Sequence, residues 1–170
     1  MLRTFEPAVL SLAEALRSRG ERLATAESCT GGLIAAACTT VAGSSDWFER
    51  GFVTYTNAAK TELLGVDAAL IAAHGAVSEP VALAMAAGAL ACSPAQWAVA
   101  VTGIAGPGGA VPGKPVGTVW LAWGRAGAVQ AECLHLPGDR AAVREATVHA
   151  ALARLLDALQ AMPPPHPSPV

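Results

Sequence analysis

The sequence predicts a three-layer α/β/α sandwich with a mixed, mostly parallel sheet in a single domain, and three observations support this. Segments of helical and strand character alternate from Ala8 to Val101, the order that builds a parallel sheet covered on both faces. Two strand-like runs, Val116 to Trp123 and Ala128 to Leu136, then stand together around Gly124-Arg125-Ala126-Gly127 and add an antiparallel hairpin. The length of 170 residues suits one core. That domain is expected over residues 1–161, with a proline-rich, disordered tail over 162–170.

Taken in order, Val9, Leu12 and Leu16 form the apolar stripe of a helix over Ala8 to Arg19, stopped by Gly20. Arg22 to Ala26 reads as a short strand, and the polar turn Glu27-Ser28-Cys29-Thr30-Gly31-Gly32 leads into an uncharged helix over Leu33 to Val41. Phe52 to Thr56 carries the β-branched and aromatic residues of a strand. Asn57 is placed to cap a helix ending at Leu64, before Gly65. Further helices are expected over Asp67 to Ala73 and Ser78 to Ala91, the second capped by Ser78 with Pro80 early in it. Trp97 to Val101 is an apolar strand feeding the glycine-rich loop Thr102 to Pro115, and Asp139 caps a last helix that ends near Ala161.

Composition excludes several classes of function. The chain is 53% hydrophobic, but 39 of its residues are alanine, so its apolar character comes largely from a small side chain. A net charge of −2 without a basic tail gives no footprint for nucleic acid. The charge-free stretch from Pro80 to Gly113 falls short of the ~20 apolar residues a membrane span needs, because Ser93, Pro94 and Gln96 interrupt it. Cys29, Cys38, Cys92 and Cys133 show neither CxxC nor metal spacing with the four histidines. The expectation is a cytoplasmic protein with packing thiols, no metal and no cofactor, and with no signal peptide. Alanine-rich helices of low charge favour a homo-oligomer.

Of eleven basic residues nine are arginine, and only Lys60 and Lys114 are lysine. Arginine stays protonated, whereas a desolvated lysine can serve as a base. Lys60 is therefore either a general base or a solvated lysine on a helix surface. Ser28 stands at a strand–turn–helix junction with Gly31 and Gly32 behind it. Such a turn exposes a side chain and aims backbone N–H groups at a ligand or a developing oxyanion. Ser28 with neutral Lys60 would make a nucleophile–base pair across 32 residues. The alternative is that Ser28 and Thr30 merely cap the next helix. Cys29 is the rival nucleophile, without a local histidine to activate it. The loop from Thr102 and Gly103 follows a strand end, where open α/β sheets bind ligands. Arg140 and Arg144 open the last helix against its dipole, which calls for an anion or a carboxylate nearby.

Together these blocks resemble the CinA C-terminal domain family. The residues that carry the resemblance are Ala26-Glu27-Ser28-Cys29-Thr30-Gly31-Gly32 and the run from Gly43 to Tyr55. His74 to Val81, Thr102 to Pro107 and Lys114 to Trp120 add to it, and the match extends from about Ala8 to Gln160. The resemblance implies hydrolysis of the carboxamide of nicotinamide mononucleotide to nicotinic acid mononucleotide and ammonia. It implies Ser28 as nucleophile, Lys60 as general base, Tyr55 assisting, and Thr102 and Arg144 in the site, with Arg144 suited to the 5′-phosphate. Thr30, Gly31, Gly32 and Gly103 complete the expected substrate-binding set, the three glycines as oxyanion candidates. The competence-related name of the family leaves open a non-catalytic nucleotide-binding or regulatory module, and another small phosphorylated amide as substrate.

Overall fold

The computed structural model describes residues 2–163; the remainder of the expected tail, 164–170, lies outside the described residues. Five strands are ordered β2-β1-β3-β4-β5: β1 (Leu23–Glu27), β2 (Phe48–Val53), β3 (Trp97–Gly103), β4 (Thr118–Arg125) and β5 (Ala128–His135). β1 pairs in parallel with β2 and β3, and β4 runs antiparallel to both β3 and β5. Four strands thus point one way and β4 alone is reversed, which gives the mixed sheet.

One helical layer comprises α1 (Glu6–Arg19), α2 (Leu33–Cys38) and α6 (Arg140–Ala161); the other comprises α3 (Asn57–Leu64), α4 (Ala68–His74) and α5 (Glu79–Ala91). Strand alternation sorts the side chains between them. Leu23, Trp97, Val99, Val101, Val119, Leu121 and Trp123 pack with Leu12, Leu16, Ile34, Leu152 and Leu155. Ala24, Ala26, Ala98, Ala100 and Ala122 pack with Val81, Ala82, Met85, Ala86 and Ala89 of α5. Each large side chain buried in the first layer stabilises the fold by about 1.5–3 kcal/mol. The alanine layer gains from close approach instead. A Cβ added at Gly88 of α5 would lie 2.1 Å from the carbonyl oxygen of Leu64 in α3.

The fold class matches the expectation, and several boundaries move. β2 occupies 48–53 rather than 52–56, because residues 48–53 are the ones in register with β1. Glu49-Arg50-Gly51 hides this strand from a β-propensity reading, and Gly51 is needed where a Cβ would meet Thr25 Oγ1 at 2.9 Å. α2 stops at Cys38, not Val41, with Thr39 and Thr40 hydroxyls turned onto the last carbonyls. Thr56, not Asn57, caps α3 by accepting from Ala59 N–H. Ser78 is at the N-cap of α5 but donates to Gly75 O instead of capping. β3 extends to Gly103, and β4 begins at Thr118, after Gly117 turns with φ of +92°. Among the described residues no helix is long and apolar enough to cross a membrane.

Candidate active site

The site lies at the end of β1 and β3 where both strands leave the sheet. Continuing the alanine register of β1, Ala24-Ala26, brings Ser28 to the α3 side; continuing Ala98-Ala100 of β3 brings Thr102 to the same side. The Ser28 backbone N–H donates to Val101 O at 3.0 Å, which holds this end of β1 against β3. The link from β2 to α3 passes directly over it, with Thr54 N–H on Glu27 O at 2.8 Å.

Lys60, from the first turns of α3, reaches down into this junction and is only 1% exposed. Its Nζ lies 3.1 Å from Ser28 Oγ, 3.0 Å from Thr54 O and 3.5 Å from Tyr55 O. No carboxylate pairs with it among the described residues. Burial pushes its pKa below the ordinary lysine value, opposed only weakly by the Cys29 thiol. A neutral amine has two N–H groups and one lone pair. In that state, N–H groups directed at Thr54 O and Tyr55 O would leave the lone pair for Ser28 Oγ. The folded chain therefore joins the two residues that the sequence separates by 32 positions.

The turn that presents Ser28 is organised by Glu27, whose role the residue-by-residue reading missed. Its buried carboxylate accepts from Thr30 Oγ1 at 2.6 Å, from Thr25 Oγ1 at 3.2 Å, and from the N–H groups of Gly32, Ile34 and Ala35 at 3.1, 3.0 and 2.8 Å. An acidic residue ending a strand just before an uncharged helix is the signal for such a cap. This corrects the expected role of Gly31 and Gly32. Gly32 N–H is committed to Glu27, and Gly31 N–H to Ser28 O at 3.0 Å. Neither is free for an oxyanion, and what they supply is backbone with φ of +60° and +95°. Thr30 is likewise buried inside the turn, its carbonyl accepting from Arg144 Nη2 at 2.8 Å.

Ser28, Tyr55, Lys60, Thr102, Gly103 and Arg140 share the walls of a cleft of about 220 Å³. Thr102 Oγ1 donates to Ala76 O at 2.8 Å and ties β3 to the segment before α5. Tyr55, the only tyrosine, is 56% exposed, and its hydroxyl accepts from Arg140 Nη2 at 2.8 Å. Arg140 Nη1 donates to Gly106 O at 2.9 Å. A second cavity of about 520 Å³ shares Ala105 and Arg140 with the first and adds Pro107, Asp139 and Arg144. Cys29 also borders the cleft, but burial pushes its thiol up to about 11, so it is protonated at neutral pH. The other lysine, Lys114, donates to His74 O at 3.0 Å, tying the loop between β3 and β4 to the end of α4.

The comparisons with known proteins agree with this architecture. The chain is 57% identical over 145 residues to the nicotinamide-nucleotide amidohydrolase PncC of Pseudomonas putida, covering 85% of this chain and 91% of that protein. It is 54% identical over 141 residues to PncC of Escherichia coli K12, covering 81% and 84%. A CinA-like protein of Akkermansia muciniphila is 54% identical over 162 residues, 92% of this chain but 39% of that longer protein. The crystal structure of the competence/damage inducible protein CihA from Agrobacterium tumefaciens superposes with a TM-score of 0.88 at 47% identity, covering 92% of this chain and 95% of that one. The CinA C-terminal domain family matches residues 6–159, and the chain belongs to that family.

Proposed function

We propose that this protein is a serine amidohydrolase that converts nicotinamide mononucleotide and water to nicotinic acid mononucleotide and ammonia. The observation that carries the reading is the buried Ser28 Oγ–Lys60 Nζ contact of 3.1 Å, in which the lysine has no acidic partner among the described residues. It is supported by the names of the Pseudomonas putida and Escherichia coli relatives, most of whose length this chain spans.

Neutral Lys60 accepts the Ser28 hydroxyl proton as Oγ bonds to the carboxamide carbon. The tetrahedral adduct collapses by breaking the C–N bond, and the Lys60 ammonium returns the proton to the departing nitrogen as ammonia. Water then enters, gives a proton to Lys60 and adds to the acyl carbon. Breaking the bond to Oγ frees the carboxylic acid, which loses its proton to solvent, and the Lys60 proton restores the serine hydroxyl. Thr102 and Gly103 wall the cleft around the reacting amide. The phosphate end of the substrate extends into the second cavity, towards Arg140 and Arg144.

The test is ammonia release from nicotinamide mononucleotide by purified wild type, Ser28→Ala and Lys60→Arg. Turnover by wild type, with loss of roughly 10³-fold or more in both folded variants, is expected when nucleophile and base act as one unit. Retained turnover in Ser28→Ala removes the nucleophile. A folded wild type without turnover overturns the enzyme reading in favour of nucleotide binding alone or a different amide.

A further inference from the structure

Arg140 and Arg144 both line the second cavity, and neither pairs with a carboxylate among the described residues, whereas Arg17, Arg50, Arg125 and Arg154 each do. They stand in the first two turns of the 22-residue α6, where positive charge opposes the helix dipole. Asp139, the carboxylate on that wall, is engaged in capping, accepting from Ala142 N–H at 2.9 Å. The Nε of Arg144 is buried with no hydrogen-bond partner. The charge balance of this wall is that of an anion site.

The two guanidinium groups are held differently. Arg144 Nη2 donates to the carbonyl of the fully buried Thr30, within the turn that presents Ser28. Withdrawing it leaves that buried carbonyl only the longer Leu33 N–H bond, at 3.3 Å, and loosens the turn. Arg140 instead divides its two ends: Nη1 holds the carbonyl of buried Gly106, while Nη2 donates to the hydroxyl of exposed Tyr55, a partner that water replaces at little cost. Bonds from a guanidinium to phosphate are roughly twice as strong as those to neutral acceptors. Arg140 also borders both cavities. The cleft at Ser28, about 220 Å³, is smaller than the ~300–1,000 Å³ of pockets that enclose a whole small ligand. A nucleotide with its amide at Ser28 must therefore pass Arg140.

We infer that Arg140 is the specificity-determining residue for an anionic substituent, exchanging the Tyr55 hydroxyl for the substrate phosphate, while Arg144 is a positioning residue for the nucleophile turn. The inference rests on the amidohydrolase reading for its substrate and divides between two residues what that reading leaves joint. The test compares kcat and KM for nicotinamide mononucleotide and nicotinamide riboside in wild type, Arg140→Gln, Arg140→Lys and Arg144→Gln. Calorimetric binding of ribose 5-phosphate and of ribose is measured beside it. Arg140→Gln is expected to lower the preference for the phosphorylated substrate roughly 30-fold, the size of one lost bond to a charged group. The change falls in KM, ribose 5-phosphate binding weakens to match, and Arg140→Lys recovers part of it. Arg144→Gln is expected to lower kcat for both substrates alike and leave the preference within about threefold. A preference that survives Arg140→Gln, or that collapses in Arg144→Gln instead, overturns the assignment. Failure of the amidohydrolase reading looks different: wild type releases no ammonia, yet ribose 5-phosphate still binds in an Arg140-dependent manner.

Discussion

The two faces of the sheet are built on different terms. Towards α1 and α6 the strands present Leu23, Trp97, Val99, Val101, Val119 and Leu121, and that layer is held by volume. Towards α3 and α5 they present Ala24, Ala26, Ala98, Ala100 and Ala122, and that layer is held by proximity. A layer held by volume yields a cavity when a side chain is removed. A layer held by proximity has nothing to lose there and little room to gain, so added atoms push helices apart. Lys60 is on the proximity side. The alanine register therefore sets how near α3 lies to the strand end, and with it the Nζ–Oγ distance.

The sharpest break of this comparison is a pair of substitutions, one per face. Leu121→Ala, in the volume layer, is expected to cost about 2–5 kcal/mol of stability while kcat per folded molecule stays within about threefold. Gly88→Ala, in the proximity layer, puts its Cβ into the Leu64 carbonyl at the end of α3. It is expected to cost about 1–3 kcal/mol and also to lower kcat at least roughly tenfold, since near-attack geometry is lost with small shifts. Denaturant unfolding and ammonia release on the same preparations check both. Equal kcat losses at the two sites would mean that the alanine face does not position the lysine.

A smaller effect, of opposite sign, follows from burying Lys60 there. Its folded pKa is lowered by desolvation relative to the unfolded chain. Below the folded pKa both states are protonated and the cost of burying the ammonium is carried in full. As pH rises from the folded pKa towards the unfolded ~10.4, the unfolded chain binds more protons and stability rises. Lys60→Met should therefore be inactive yet melt higher than wild type at pH 7, by about 2–4 °C for each kcal/mol recovered. The gap should narrow as the pH approaches 10. A gap that widens with pH contradicts a desolvated lysine.

Much of this was legible in the sequence, through period rather than propensity. The helices around the sheet follow from their apolar spacing and their glycine stops, as at Gly20 and Gly65. Lys60 stood out because the chain otherwise uses arginine almost throughout. The side to which Ser28 and Thr102 turn can be read by extending Ala24-Ala26 and Ala98-Ala100 by two residues, a parity argument that propensity does not make. What was hidden depends on tertiary partners. β2 is an edge strand whose Glu49-Arg50-Gly51 gains its form from register with β1. The glycine amides behind Ser28 looked free, but the turn takes both, Gly32 N–H going to Glu27 and Gly31 N–H to Ser28 O. The Tyr55–Arg140 contact spans 85 residues and left no local trace.

The same parity separates two adjacent nucleophiles, and the smallest expected effect tests it. Ser28 falls in the alanine register, beside Lys60, whereas Cys29 falls in the register of Leu23 and packs with the volume layer. Burial holds the Cys29 thiol protonated, at about 11, so its intrinsic nucleophilicity is not available at neutral pH. Cys29→Ala removes one buried sulfur from a layer held by volume and touches nothing that positions the lysine. It should cost on the order of 1 kcal/mol in stability and leave kcat/KM within about threefold. Alkylation of the wild type should modify exposed Cys92 before any activity is lost. Turnover abolished in Cys29→Ala but kept in Ser28→Ala would move the nucleophile to the other face of the sheet, and the division between a packing face and a positioning face would fall with it.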